Sequence, residues 1–196
     1  NTPKGFRLAG SVPTDIDPLL AMTTPAAIPQ ALHMTLAAYA GTGFAVAGIH
    51  AFFLRRQGRG SFHRKALGIA PRMAIPAALL QPLSGDLSAK TVAVLQPAKL
   101  AAMEGQFTTE RGAPLRIGGW PDEEAATTRL ALEVPKALPI LAFGDANAEV
   151  QGLDRVARED WPPVAIVHVA FQAMVGLGSY MALVSLWALW CRWRRR

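Results

Sequence analysis

The chain has 196 residues, of which 51% are hydrophobic and only 17% are charged, a balance too apolar for an ordinary water-soluble domain and typical of a membrane protein. The net charge of +6 does not indicate nucleic-acid binding, because the basic residues cluster at the ends of apolar runs, in residues 55–65 and 192–196. The single cysteine, Cys191, excludes an internal disulfide framework and a CxxC metal site.

Residues 1–25 are rich in proline and glycine, which disfavour regular structure, and we expect them to form an external segment. Residues 26–54 carry no charged side chain and are long enough to cross a bilayer core about 30 Å thick. A strongly basic loop, residues 55–65, follows this transmembrane helix. Because short basic loops mark the cytoplasmic side of a membrane, we predict that this loop is cytoplasmic.

Residues 66–84 form a second apolar segment, which is interrupted by three prolines and by Arg72. It is still predicted to span the membrane, because neighbouring helices can satisfy the backbone groups that a proline frees. Residues 161–191 form the third and strongest apolar segment, with tryptophans near both ends as in an interfacial belt. The tail, residues 192–196, is again basic and is predicted to be cytoplasmic.

Residues 85–160 separate the second and third apolar segments and carry a mixture of charges that predicts an external loop. A loop of this length usually has a function. We predict two helical pieces within it, at about residues 88–107 and 121–132, the second because acidic side chains fill its first turn. The predicted fold class is all-α, a polytopic membrane helical bundle of three transmembrane helices with a large external loop.

Two oppositely charged side chains, Lys99 and Glu104, lie close together in the sequence shortly after the second apolar segment. A carboxylate with a suitable pKa can exchange protons with a substrate bound where water meets lipid. Residue types alone leave open the alternative of a solvated interfacial pair without a chemical role.

The first and third apolar segments each carry a residue that can ligate haem iron, His33 and Met174. Histidine and methionine together can be the axial ligands of a low-spin b-type haem, and this combination raises the reduction potential. Residue types alone leave His50 and His168 as competing candidates. A lone methionine is also a common packing residue.

Five short segments have a more distinctive sequence. They are residues 81–86 (QPLSGD), 96–104 (QPAKLAAME), 118–124 (GGWPDEE), 161–163 (WPP) and 171–176 (FQAMVG). In this order they resemble subunit I of cytochrome bd quinol oxidase, most closely its cyanide-insensitive, short-loop branch. The resemblance extends over nearly the whole chain.

The resemblance implies a role for each candidate residue. His33 and Met174 match the axial ligands of the iron of the low-spin haem b. Lys99 and Glu104 match the pair that binds and deprotonates quinol at the start of the external loop, which the family calls the Q-loop. Asp86 matches the aspartate of a preceding Gly-Asp pair, whose role is structural or quinol-adjacent.

The resemblance also has gaps. Gln172 stands where the long-loop branch has an arginine, and Pro71 and Arg72 look foreign to their helix. Subunit I of the family has further helices, with ligands of a high-spin haem b and of haem d that have no counterpart here. We therefore expect a fragment, a truncated product or one part of a split subunit, whose partners are the remaining helices of subunit I and the second oxidase subunit.

The function implied by the resemblance is quinol oxidation, coupled to oxygen reduction in the full complex. The expected partners are quinol and the lipid bilayer, without nucleic acid. The expected location is the bacterial cytoplasmic (inner) membrane, with the Q-loop on the periplasmic side. Two alternatives remain open: a non-catalytic or truncated membrane haem electron-transfer subunit, and a remnant of a membrane transporter.

Overall fold

The computed structural model of the chain describes residues 4–57 and 60–194. The six α-helices in these residues are α1 (Pro18–Met22), α2 (Ala27–Gln57), α3 (Ser61–Leu95), α4 (Pro97–Glu104), α5 (Ala137–Phe143) and α6 (Val164–Arg194). The eight short strands are β1 (Arg7–Ala9), β2 (Val12–Thr14), β3 (Glu110–Arg111), β4 (Leu115–Ile117), β5 (Trp120–Asp122), β6 (Thr127–Arg129), β7 (Leu132–Val134) and β8 (Glu149–Val150). Two 3₁₀ turns, Leu153–Arg155 and Arg158–Asp160, precede α6.

The chain forms two compact units, which are described separately. The loop unit contains the described residues of Asn1–Gln30 and of Asp86–Met174. The helix unit contains those of Ala31–Gly85 and of Val175–Arg196. Three sequence-predicted segments extend beyond the described residues, because Asn1–Pro3, Gly58 with Arg59, and Arg195 with Arg196 lie outside them.

Three helices are long and apolar enough to cross a membrane, as predicted for a three-helix membrane fold. The candidate spans are Ala27–Arg56, Ser61–Leu95 and Arg158–Arg194. The fold is mostly helical, and the strands pair only two by two. Length and composition therefore agree with the predicted fold class.

The middle helix is longer than the predicted segment 66–84. α3 continues through Pro71, Pro76 and Pro82 to Leu95, so residues 85–95 are helical and not the start of a loop. A proline removes one backbone donor from a helix, which a long helix with other contacts can tolerate. α3 ends where Gln96 precedes Pro97 and adopts φ −143° and ψ 61°, because the proline ring disfavours helical backbone at the preceding residue.

Small side chains let α2 and α3 approach closely within the helix unit. Ala40, Ala77 and Ala78 are buried together. A Cβ atom added at Gly43 would lie 2.6 Å from the Cβ atom of Ala74. Close contact between small residues is a common mode of helix packing in membranes, where lipid provides little hydrophobic driving force between helices.

The N-terminal segment has more structure than its composition predicts. Strands β1 and β2 form an antiparallel hairpin. The Asp17 side chain then accepts hydrogen bonds from the backbone N–H groups of Leu19 and Leu20, and Pro18 occupies the first position of α1. An acidic N-cap followed by proline is a strong helix start, so the expectation of an irregular segment was wrong.

Nested antiparallel pairs organise the external loop. The β5–β6 hairpin is enclosed by the β4–β7 pair, and the β3–β8 pair encloses both. The loop unit also contains two buried apolar clusters, one that includes Leu100 and Val150 and another that includes Phe107 and Leu153. The loop therefore has its own core.

The prediction of a helix at about residues 121–132 is wrong, because most of these residues form the β5–β6 hairpin and the turn after it. The Asp122 side chain accepts from the backbone N–H groups of Glu124 and Ala125 at 3.2 and 3.0 Å. Ala126 and Leu130 adopt positive φ values of 49° and 58°. An acidic residue that begins a turn looks in sequence like one that begins a helix. The helix predicted at about residues 88–107 is instead divided between the end of α3 and α4.

We expect Gly43→Ala to lower the free energy of unfolding by about 1–3 kcal/mol, because the new methyl group overpacks the contact with Ala74. Gly41→Ala is the matched control, since a Cβ atom at Gly41 meets no atom within 4 Å. Denaturant or thermal unfolding in detergent measures both variants. Equal stability of the two variants would contradict the close packing.

Candidate functional site

The helix α4 places the candidate pair Lys99 and Glu104 in different environments. Its buried residues are Leu100, Ala101, Ala102 and Glu104, whereas Lys99 is exposed. The helix ends at Gly105, whose left-handed backbone (φ 63°, ψ 34°) favours glycine. In the described residues no ion pair joins Lys99 to Glu104, so the two side chains share a helix but not an environment.

The Glu104 carboxyl group is the most unusual ionisable group of the loop unit. Its residue is only 5% exposed, and its Oε2 atom has no hydrogen-bond partner in the part of the chain that the structure describes. Burial raises the pKa of Glu104 to about 7, and the positive charge of Arg116 opposes this rise. The group can therefore take up or release a proton near neutral pH.

A polar network around the buried Gln106 side chain holds Arg116. Its Nε atom donates to Glu133 Oε1 at 3.0 Å, and its Nη1 atom donates to Gln106 Oε1. The Gln106 side chain, which is 1% exposed, uses its amide to donate to Glu110 Oε1 at 2.9 Å and to the Thr108 carbonyl at 2.6 Å. Arg116 is thereby a fixed positive charge that favours the ionised form of Glu104.

His168 is fully buried, and backbone carbonyls occupy both of its ring nitrogens. Nδ1 lies 2.8 Å from the Met103 oxygen, and Nε2 lies 3.0 Å from the Gly118 oxygen. This geometry disfavours His168 as an iron ligand. The other competing candidate, His50, has its Nδ1 atom 2.7 Å from Nδ1 of His63.

His33 lies in the helix unit with a hydrogen-bond arrangement that suits an iron ligand. Ser84 Oγ donates to the Gln81 carbonyl at 3.0 Å, which leaves an Oγ lone pair to accept from His33 Nδ1 at 3.1 Å. The Gln81 amide lies 3.2 Å from His33 Nε2, the shorter of its two approaches to the ring. These contacts favour the tautomer with the proton on Nδ1, in which the Nε2 lone pair accepts from the Gln81 amide. A metal at Nε2 would have to displace that amide, which is a side chain, whereas the partners of His168 are backbone carbonyls.

The remaining sequence-predicted residues are less constrained. Met174 lies on α6 and is 50% exposed. Asp86 pairs with Lys90 at 2.7 Å on the surface of α3, an arrangement that indicates a local helix contact. Arg72 is exposed on α3.

Sequence reasoning missed the charged and polar surroundings of Glu104. Arg116 and Gln106 are two of many polar residues in the loop, and no motif distinguishes them. His168 was noticed because it stands alone in an apolar helix, but its two carbonyl partners are far away in the sequence. Gln172, the departure from the family arginine, donates to the Arg116 carbonyl and accepts from the Gly118 N–H.

Three comparisons with known proteins agree. The family model described as cytochrome bd terminal oxidase subunit I matches residues 1–196. A Bacillus subtilis (strain 168) protein, provisionally named cytochrome bd menaquinol oxidase subunit I, is 38% identical over 189 residues, which are 94% of this chain and 42% of that protein. The cytochrome bd-II ubiquinol oxidase subunit 1 of Escherichia coli (strain K12) is 31% identical over 144 residues, which are 73% of this chain and 28% of that protein.

A solved structure gives the same result. The structure of bd oxidase from Geobacillus thermodenitrificans matches with a TM-score of 0.84 at 37% identity, over 95% of this chain and 43% of that one. The chain thus spans less than half the length of each of these relatives. Its own sequence is covered throughout by the family model, and the resemblance read from its motifs is confirmed: the chain belongs to the cytochrome bd terminal oxidase subunit I family.

Proposed function

We propose that this chain is the quinol-oxidising, low-spin haem b-binding part of a cytochrome bd-type oxidase subunit I. The observation that carries the proposal is the buried Glu104 carboxyl group, whose pKa of about 7 suits a proton acceptor at neutral pH. Oxidation of a quinol to a quinone releases two electrons and two protons. The ionised Glu104 side chain accepts one of these protons, and the other passes to water.

Lys99 has a different role in this proposal. Its exposed ammonium group donates a hydrogen bond to a quinol oxygen and so orients the substrate at the start of the external loop. Arg116 holds part of the Glu104 population in the ionised form, which is the form that accepts a proton. Binding and deprotonation are thus assigned to different ends of α4.

Two residues are proposed as the axial ligands of the haem iron, His33 through Nε2 and Met174 through its thioether sulfur. The fit of His33 rests on its contact with Ser84, which favours the tautomer whose Nε2 lone pair could bind iron in place of the Gln81 amide. Met174 is half-exposed and is not packed into the described core, which suits a residue that contacts a bound group. The haem, when bound, supplies a one-electron acceptor for quinol oxidation.

The full complex is also part of the proposal. The three candidate spans support a membrane location, and we assign the chain to the bacterial inner membrane with the external loop on the periplasmic side. The partners would be the remaining helices of subunit I and the second oxidase subunit. A high-spin haem b and haem d in those other parts would reduce oxygen.

Glu104→Gln should lower the rate of quinol-driven haem reduction by about 100-fold or more, because a general base contributes about 10²–10⁴-fold. The wild-type rate should rise as the pH increases through about 7, since Glu104 then loses its proton, and this rise should be absent from the variant. Stopped-flow reduction of the assembled oxidase at several pH values measures both effects.

Glu124→Gln is the matched control for this experiment, because Glu124 is an exposed carboxylate of the same loop. It should leave the rate and its pH dependence unchanged. A Glu104→Gln enzyme with the wild-type rate and pH dependence would refute the assignment of the base.

Met174→Leu should convert the low-spin haem to a high-spin form, because leucine offers no sixth ligand. His33→Leu should instead remove the haem. Absorption and electron paramagnetic resonance spectra of the purified oxidase distinguish these results. An unchanged low-spin signal in either variant would show that the ligand is another residue.

Ser84→Ala should retain the haem but raise its reduction potential, because His33 loses the hydrogen-bond acceptor that increases its basicity. Ser88→Ala is the matched control, since the Ser88 hydroxyl donates to the Pro29 carbonyl and not to His33. A spectroelectrochemical titration measures both variants. Identical potentials in Ser84→Ala and the wild type would rule out the tautomer argument.

A further inference from the structure

His168 joins two separate parts of the loop unit to α6. Its ring is fully buried and lies 2.8 Å from the Met103 oxygen and 3.0 Å from the Gly118 oxygen. Backbone carbonyls only accept hydrogen bonds. A neutral imidazole donates to one of them, and an imidazolium donates to both.

Gln172 lies one helical turn after His168 and contacts the same strand end. Its Nε2 atom donates to the Arg116 oxygen at 2.9 Å, and its Oε1 atom accepts from the Gly118 N–H at 3.2 Å. Residues four apart lie on one face of a helix. One face of α6 therefore holds the backbone of residues 116–118 through both side chains.

The points of attachment adjoin the two charged groups that matter for the proposed chemistry. Met103 directly precedes Glu104, and a Cβ atom added at Gly105, on the other side, would lie 3.4 Å from His168 Nδ1. The charge of Arg116 lowers the pKa of Glu104. The backbone carbonyl of Arg116 accepts the hydrogen bond from Gln172. The carboxyl group and its cationic neighbour are thus both fixed to α6.

We propose that His168 and Gln172 are positioning residues for quinol oxidation: they hold Glu104 buried and at a fixed separation from Arg116. Neither residue touches the substrate in this proposal, which rests on the proposed function of Glu104 as the base. Four other charged groups lie near these contacts in the described residues. Lys99 on α4 is exposed, Glu133 pairs with Arg116, Glu110 accepts from Gln106, and Glu123 accepts from the Val164 N–H at the start of α6.

The substitution His168→Leu in the assembled oxidase removes the contacts with the Met103 and Gly118 carbonyls. It fills the site with an apolar side chain. The end of α4 then loosens, and water reaches the Glu104 carboxyl group. We expect kcat to fall about 10- to 100-fold, because small displacements of a catalytic group cost this much, with a smaller change in KM. The midpoint of the rise of the rate with pH should fall below pH 7, because desolvation is the main cause of the raised pKa of Glu104.

Conservative variants test the donor function separately. The amide side chains of His168→Asn and His168→Gln can each supply a donor, so at least one of them should recover part of kcat and move the pH dependence back toward the wild type. Gln172→Leu should produce a smaller shift in the same direction. His50→Leu is the matched control, because His50 contacts His63 and Phe62 within the helix unit, and it should leave the pH dependence unchanged.

The haem absorption spectrum separates positioning from a general structural role. Haem-loaded His168→Leu with the wild-type kcat and pH dependence would overturn the proposal. Loss of haem-loaded enzyme with an unshifted pH dependence in the remaining fraction would also overturn it. If His168→Leu does not assemble, His168→Asn, His168→Gln and Gln172→Leu decide the question, and wild-type pH dependence in all three rejects the proposal.

The Glu104→Gln variant distinguishes failure of this inference from failure of the proposed function. If Glu104→Gln abolishes the rise of the rate with pH and His168→Leu does not move it, only the positioning role is wrong. If Glu104→Gln leaves the rise in place, the base itself has been misassigned.

Discussion

Burial of the Glu104 carboxyl group at the end of a short helix is the constraint on which the loop unit depends. Raising its pKa from the ordinary 4.5 to about 7 makes ionisation in place about 3 kcal/mol less favourable than in water. The folded chain then holds the proton more tightly than the unfolded chain does. The contribution of Glu104 to stability is therefore greatest below pH 4.5, falls as the pH rises to about 7, and stays low above that.

The structure offsets this cost with packing and with a charged neighbour. Leu100, Ala101 and Ala102 are buried on the same helix, and Arg116 is held near the carboxyl group by Gln106 and Glu133. A carboxyl group that exchanges its proton near neutral pH, and whose charged form is costly to bury, suits proton exchange better than a structural role. Lys99, in contrast, is exposed, which suits a contact with substrate.

Hydrophobicity along the sequence predicted the three long helices correctly, because a membrane span depends on local composition. The length of α3 was missed, because the charged residues from Asp86 onward indicated the start of an external loop, although the helix continues to Leu95. The β5–β6 hairpin was missed because the acidic start of a turn resembles a helix N-terminus. Motif resemblance identified Glu104, but its burial and its links to Arg116 and His168 depend on contacts between distant residues, which one sequence does not reveal.

The central claim is that Glu104 keeps its proton to an unusually high pH because it is buried. Infrared difference spectroscopy of the oxidase in its membrane tests this directly, through the C=O stretch of the protonated carboxyl group. We predict a carboxylic acid band that disappears with a midpoint near pH 7 and is missing from the Glu104→Gln enzyme. A Glu104 band that has already vanished by about pH 5, near the ordinary pKa of a glutamate in water, would contradict the account.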